Sequence, residues 1–110
     1  IGVGYDAADT NWQVMTNDGS GTATKTDTGI ARPSSDRQSI YSVMIFVPPG
    51  GASATIGILD EGTGSTYETT VSTDLPSTTT TMAPRAYASV GGTSSVVGLT
   101  LFSLYLETDN

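Results

Sequence analysis

Apolar and polar positions alternate along much of this chain with a period of two, and no window shows the 3.6-residue period of a helix. The longest apolar run is SSVVGLTLFSLYLE, Ser94 to Glu107. Val97, Leu99, Leu101 and Tyr105 fall on one face and Val96, Phe102, Leu104 and Leu106 on the other, which predicts a closing central strand buried on both sides. A second organising strand is predicted at Ser39 to Val47, where Tyr41, Val43, Ile45 and Val47 alternate with Ile40, Met44 and Phe46. Pro48-Pro49-Gly50-Gly51 ends it, because proline has no N–H to donate and glycine can reverse the chain.

Shorter strands are predicted at Ile1 to Tyr5, Trp12 to Thr16, Thr22 to Asp27, Ala54 to Asp60, Thr66 to Ser72 and Arg85 to Val90. In Ala54 to Asp60, Ile56 and Ile58 share one side. In Thr66 to Ser72, Tyr67, Thr69 and Val71 face inward against Glu68 and Thr70. Turn signals fall between them at Asn17-Asp18-Gly19-Ser20-Gly21, Glu61 to Ser65 and Gly91-Gly92, the first predicting a type I′ or bulged hairpin. Thr28 to Gln38 reads as a connection and Asp74 to Pro84 as an extended crossing loop. About eight short strands at this spacing predict an all-β fold, an antiparallel β-sandwich that is jelly-roll-like, in one domain over residues 1–110.

Composition narrows the function classes. Apolar residues make up 36% and charged residues 14%, so hydroxyls and backbone must cover much of the surface. Lys25, Arg32, Arg37 and Arg85 stand against eleven acidic residues, for a net charge of −7. Such a surface repels phosphate backbones and its few cations are scattered, so nucleic acid is not an expected partner. The uncharged runs Gln38 to Leu59 and Ala86 to Leu106 are long enough to span a bilayer, but prolines and glycines break the first and Ser, Thr and Gly fill half of the second; no membrane insertion is expected. The chain starts at Ile1 without methionine or a charged leader, and further sequence is expected upstream.

Histidine and cysteine are both absent. That excludes a Ser-His-Asp triad, a thiolate nucleophile and a disulfide framework, and leaves acid–base chemistry to carboxylates with raised pKa values, the four basic residues and tyrosines. Asp60 and Glu61 are sequence neighbours and point to opposite faces of a strand, so they do not form a glycosidase pair by themselves. Asp6, Asp9 and Asn11, or Asn17 and Asp18, offer oxygens to calcium, but neither loop has EF-hand spacing, and Asp and Asn are ordinary turn formers. No enzyme activity, cofactor or metal is expected. Trp12, Tyr5, Tyr67 and Tyr87 are either core residues or an aromatic platform for a sugar ring.

Four stretches carry a resemblance that spans nearly the whole chain: IGVGYDAADTNWQVMTNDGSGTATKTDTG, the aliphatic strand running into FVPPGG, VSTDLPSTTTTMAPRAYASVGGTSS, and the ending LFSLYLETDN. The sharpest motifs are Gly4-Tyr5-Asp6 followed by Asp9-Thr10-Asn11-Trp12-Gln13, the Asn17-Asp18 turn, Val71 to Pro76, and Leu104 to Asp109. Together they resemble the C-terminal module of tailed-bacteriophage tail, tail-fibre and minor structural proteins. The chain departs from that family at Thr16, where relatives often carry histidine or another polar residue.

The resemblance implies a virion component, the C-terminal part of a longer polypeptide. It implies a tail fibre or appendage domain that assembles with itself as a homotrimer, contacts other virion proteins and presents loops to a host surface glycan or protein. Recognition is then expected at the loop residues Asp6, Asp9, Asn11, Asn17, Asp18, Thr63, Thr78 and Thr79. Two alternatives stay open: a capsid decoration or head-fibre architectural module, and a carbohydrate-binding or carbohydrate-active fragment.

Overall fold

The computed structural model describes residues 1–34, 39–92, 94 and 96–108. The part of the expected connection at 35–38, with Arg37, and the Asp109 end of the closing motif lie outside them. Among the described residues there are six strands and no helix, and so no helix that is long and apolar enough to cross a membrane. The strands are β1 (Gly2–Gly4), β2 (Asn11–Thr16), β3 (Thr24–Ala31), β4 (Tyr41–Phe46), β5 (Ala54–Asp60) and β6 (Thr66–Val71). They form two antiparallel three-stranded sheets, ordered β1-β2-β3 and β4-β5-β6. The chain divides into two units, Ile1–Thr79 and Thr80–Asn110, and all six strands belong to the first.

Within the first unit the sheets face each other in a sandwich-like arrangement. Val14 of β2 packs with Ala54 and Ile56 of β5 at the centre, and Ile1, Val3, Tyr67, Val71 and Leu75 close around them. The period-two pattern explains why these residues meet: Ala54, Ile56 and Ile58 are all buried from one face of β5, and Tyr67, Thr69 and Val71 alternate inward on β6 as expected. The pair Val43↔Ile58 and Ile45↔Ile56 places Val43 and Ile45 on that same inner face of the second sheet. The first sheet, however, meets the second through β1 and β2 on β5 and through β3 on β6. Tyr41, at the start of β4, is tied to it by its hydroxyl donating to Ala31 O at 3.0 Å and by its ring against Trp12. Val43 to Val47 therefore overhang, each 43–55% exposed on both faces of the strand.

Turn chemistry sets the connections. Gly51 N donates to Pro48 O at 2.8 Å around Pro49-Gly50, with Gly50 at φ +64, the type II pattern of proline then left-handed glycine. After β5, Gly64 N donates to Asp60 O at 2.8 Å with Gly64 at φ +74. The β2–β3 hairpin forms, but across residues 17–23 rather than through a tight two-residue turn.

Three expectations are corrected. The third strand runs from Thr24 to Ala31, beyond the expected Asp27, because an irregularity lets it continue: Asn11↔Ala31 and Gln13↔Asp27 set two steps of β2 against four of β3. Arg85 to Val90 forms no strand, and Arg85 to Ser89 are exposed. The described residues of Ser94 to Glu107 form no strand either, so the predicted closing central strand is absent and the sandwich has six strands, not eight. Alternation says which faces a segment can bury, whereas a strand also needs a neighbouring backbone to satisfy its N–H and C=O groups, and no edge is paired with this one. In the second unit the ordered features are local. Gly91 and Gly92 turn at φ +59 and +93, the Arg85 guanidinium lies 4.5 Å from the Tyr87 ring centre, and the Tyr105 hydroxyl donates to Glu107 at 2.6 Å.

Candidate functional site

The strand directions sort the loops of the first unit into two ends. At one end lie the β1–β2 loop, the exit of β3, the start of β4 and the β5–β6 turn; at the other lie the β2–β3 loop, the Pro-Gly turn and the segment after β6. The expected recognition residues are divided between them.

At the first end Asp6 and Asp9 shape their own loop. Asp6 Oδ1 accepts from Ala8 N at 2.8 Å, Asp9 Oδ2 accepts from Asp6 N at 2.9 Å, and Asp9 N donates to Asp6 O. Lys25 on β3 reaches both carboxylates, at 2.5 and 2.7 Å. Its ammonium, together with the Ala8 and Asp9 amides, holds the Asp6 carboxyl below its ordinary pKa, and the two carboxylates raise that of Lys25. Arg32 fastens the same loop from the exit of β3, donating from Nη1 to Asp6 O and lying 5.8 Å from the Tyr5 ring centre. Two of the chain's four cations are thus engaged by one six-residue loop.

Asn11 belongs to a neighbouring cluster. Asp27 accepts from Gly29 N at 2.6 Å, from Asn11 Nδ2 at 3.0 Å and from Gln13 Nε2 at 3.3 Å, and these donors lower its pKa, the Gly29 amide most. Thr28 Oγ1 donates to Trp12 O at 2.7 Å and accepts from Ile30 N. Together these bonds hold the β2–β3 irregularity, and Gly29 sits there at φ +70, a conformation glycine takes without strain.

The aromatic residues are arranged differently from a flat platform. Trp12 packs edge-on between Tyr5 and Tyr41, with ring centres at 4.8 and 5.0 Å. Trp12 is half-buried, and its Nε1–H has no hydrogen-bond partner among the described residues. Tyr67 packs against the core, while Tyr87 lies in the second unit. Tyr41, not Tyr67 or Tyr87, completes the cluster; its odd position with Val43 and Ile45 was the available signal. Beside Tyr5 an open depression of about 620 Å³ is lined by Tyr5, Thr10, Arg32, Pro33 and Ser34. Thr63 is exposed on the β5–β6 turn, bonded to Ser65 Oγ at 3.0 Å.

At the second end, Asn17 and Asp18 build the hairpin loop. Asn17 Oδ1 accepts from Gly19 N at 2.6 Å, and Asp18 Oδ1 accepts from Ser20 N and Ser20 Oγ at 2.9 and 2.7 Å. Asp74, which the sequence placed at the start of the crossing loop, joins this loop to the segment after β6. Its carboxylate accepts from Asp18 N at 2.9 Å and from Thr24 N at 3.3 Å, and the Thr24 and Asp18 donors lower its pKa. Thr78 and Thr79 are exposed, with the Thr79 hydroxyl 3.0 Å from that of Ser77.

The acidic loop residues are therefore spent on intramolecular bonds to backbone amides and lysine, which is turn-forming chemistry. Fold and loops define the class as far as the geometry carries it: a hydroxyl-rich all-β module of two antiparallel sheets with rigidly tied loops. No family model matches the chain, and neither a curated protein nor a solved structure gives a significant match.

Proposed function

We propose that the chain is a non-enzymatic structural domain of a tailed-bacteriophage particle, part of a tail fibre or similar appendage, that assembles with copies of itself and presents its tied loops to a host surface. The sequence resemblance motivates this reading. One structural observation supports it: a chain of net charge −7 keeps two uncharged apolar stretches, the β4 overhang and the segment from Val96 to Leu106, exposed to solvent. Exposed apolar surface of this extent belongs at protein contacts. In the assembly Arg85 to Val90 and Ser94 to Glu107 supply the further strands of an eight-stranded, jelly-roll-like sandwich. Static light scattering on the purified chain tests this: a homotrimer is expected, and a clean monomer at tens of micromolar would sink self-assembly. Antibody labelling of intact particles then separates a tail appendage from a capsid decoration or head fibre.

A second reading, carbohydrate binding, has one observation in its favour: Tyr5 borders an open depression next to Arg32 and Thr10 and touches the lone tryptophan. A sugar bound there would change Trp12 fluorescence. A screen of bacterial surface saccharides giving no change would remove this reading.

A further inference from the structure

We propose that the segment Val96 to Glu107 of one copy adds as a strand to the open edge of β4 in a second copy. This rests on the self-assembly reading above and names its contact. Four strands lie at sheet edges, and three are unsuited to accept another strand. β1 has only three residues. β3 carries Lys25 and Asp27 and is distorted at Gly29. β6 carries Glu68. Charges, irregularities and shortness are the devices that keep an edge from pairing. β4 has none of them: it is uncharged, six residues long, and in continuous register with β5 from Tyr41↔Asp60 to Phe46↔Thr55. Among the described residues no strand lies beside its outer N–H and C=O groups.

The donor has the complementary defect. Val96 to Leu106 has a strand's alternation and no charge, and its large side chains are 49–93% exposed. The 31 residues of its own unit are too few to build a core around them. On β4 the donor finds backbone partners, and its two apolar faces flank Val43 and Ile45 on one side and Met44 and Phe46 on the other. Charge favours a second copy brought together at these places: copies of net −7 repel, and β4 and Val96 to Leu106 lie in the two long runs without a charged residue, 38–59 and 86–106. A donor meeting a different acceptor surface makes a heterologous contact, which closes into a ring such as a trimer or continues as a fibre.

The test is complementation between two full-length variants, followed by light scattering. A donor-blocked chain carries Leu101→Lys with Phe102→Lys; an acceptor-blocked chain carries Met44→Lys with Phe46→Lys, both at sites exposed in the single chain. Each alone is expected to be a folded monomer of 11.3 kDa. Mixed one to one, they regain a single intact contact and should form a dimer of twice that mass and nothing larger. Tail-to-tail pairing would leave the acceptor-blocked chain assembled alone, and β4-to-β4 pairing the donor-blocked chain; either of these results, or no dimer on mixing, overturns the proposal while leaving self-assembly standing. A monomeric unmodified chain overturns both. Should a lysine variant fail to fold, the cysteine-free chain allows a second measurement. Val43→Cys in one chain, oxidised with Leu101→Cys or Tyr105→Cys in another, should give a disulfide-linked heterodimer, and its absence overturns the pairing.

Discussion

Asp74 is the described non-glycine residue with a positive φ, at 54°, a region that few side chains other than Asn and Asp adopt readily. Asp74→Ala should lower the melting temperature clearly, since it loses both acceptors and suits the backbone less well. Asp74→Asn keeps one acceptor and the backbone preference, and should fall between. Asp6, Asp27 and Asp74 all have pKa values lowered by bonds made only in the folded state. Depressed folded-state values mean that the folded protein binds fewer protons. Their stabilisation is complete above the unfolded value of about 3.9 and is lost as pH falls through the folded values. Lys25 has the opposite sign: its raised value stabilises fully below about 10.4 and is lost as pH rises through the folded value. Melting followed by Trp12 fluorescence should thus be flat between about pH 5 and 9 and decline at both extremes. In Asp74→Asn the acid decline should be shallower; an unchanged profile would mean that the Asp74 bonds add no acid sensitivity.

At the scale of single elements, the β2–β3 irregularity and the β5 core make separate demands. Gly29 has open space where a side chain would go, so Gly29→Ala tests backbone conformation alone. A loss of roughly 1–2 kcal/mol is expected from the left-handed φ, read by urea unfolding. Ile56 is fully buried, and Ile56→Ala should cost about 2–5 kcal/mol by the same measurement. The alternation of β5 and β6, the aliphatic β4 and its Pro-Gly ending could all be read from the sequence, because each is a short-range pattern of side chains or turn residues. The extension of β3 through Thr28, Gly29 and Ile30 could not, because it depends on Asp27 gathering Asn11, Gln13 and Gly29 from both strands. The closing segment was misjudged for a related reason: its pattern describes a strand, but no pattern within it states where its partner lies. Of the expected loop residues, Asp6, Asp9, Asn17 and Asp18 were recognisable as turn formers. Lys25, Arg32 and Asp74, which tie those loops down, act across 16 to 56 residues and left no local sign.

Across the whole molecule, the sequence pI of about 4.1 leaves a strongly acidic surface at neutral pH, interrupted by the two uncharged runs. Hydrogen exchange should report their use. In the assembled state, amides of β4 and of residues 96–107 should exchange more slowly than in a dilute monomer, whereas those of central β5 should not change. Protection confined to the two-sheet unit after assembly would remove the terminal segment from the contact. The bond between Asp74 and the Asp18 amide has a wider consequence. In the folded state it ties points 56 residues apart, in a chain without cysteine. Such a buckle is indifferent to reductants and opens to protons. The tie from the segment after β6 to the β2–β3 loop therefore holds in oxidising and reducing surroundings alike, and loosens where the medium turns acid.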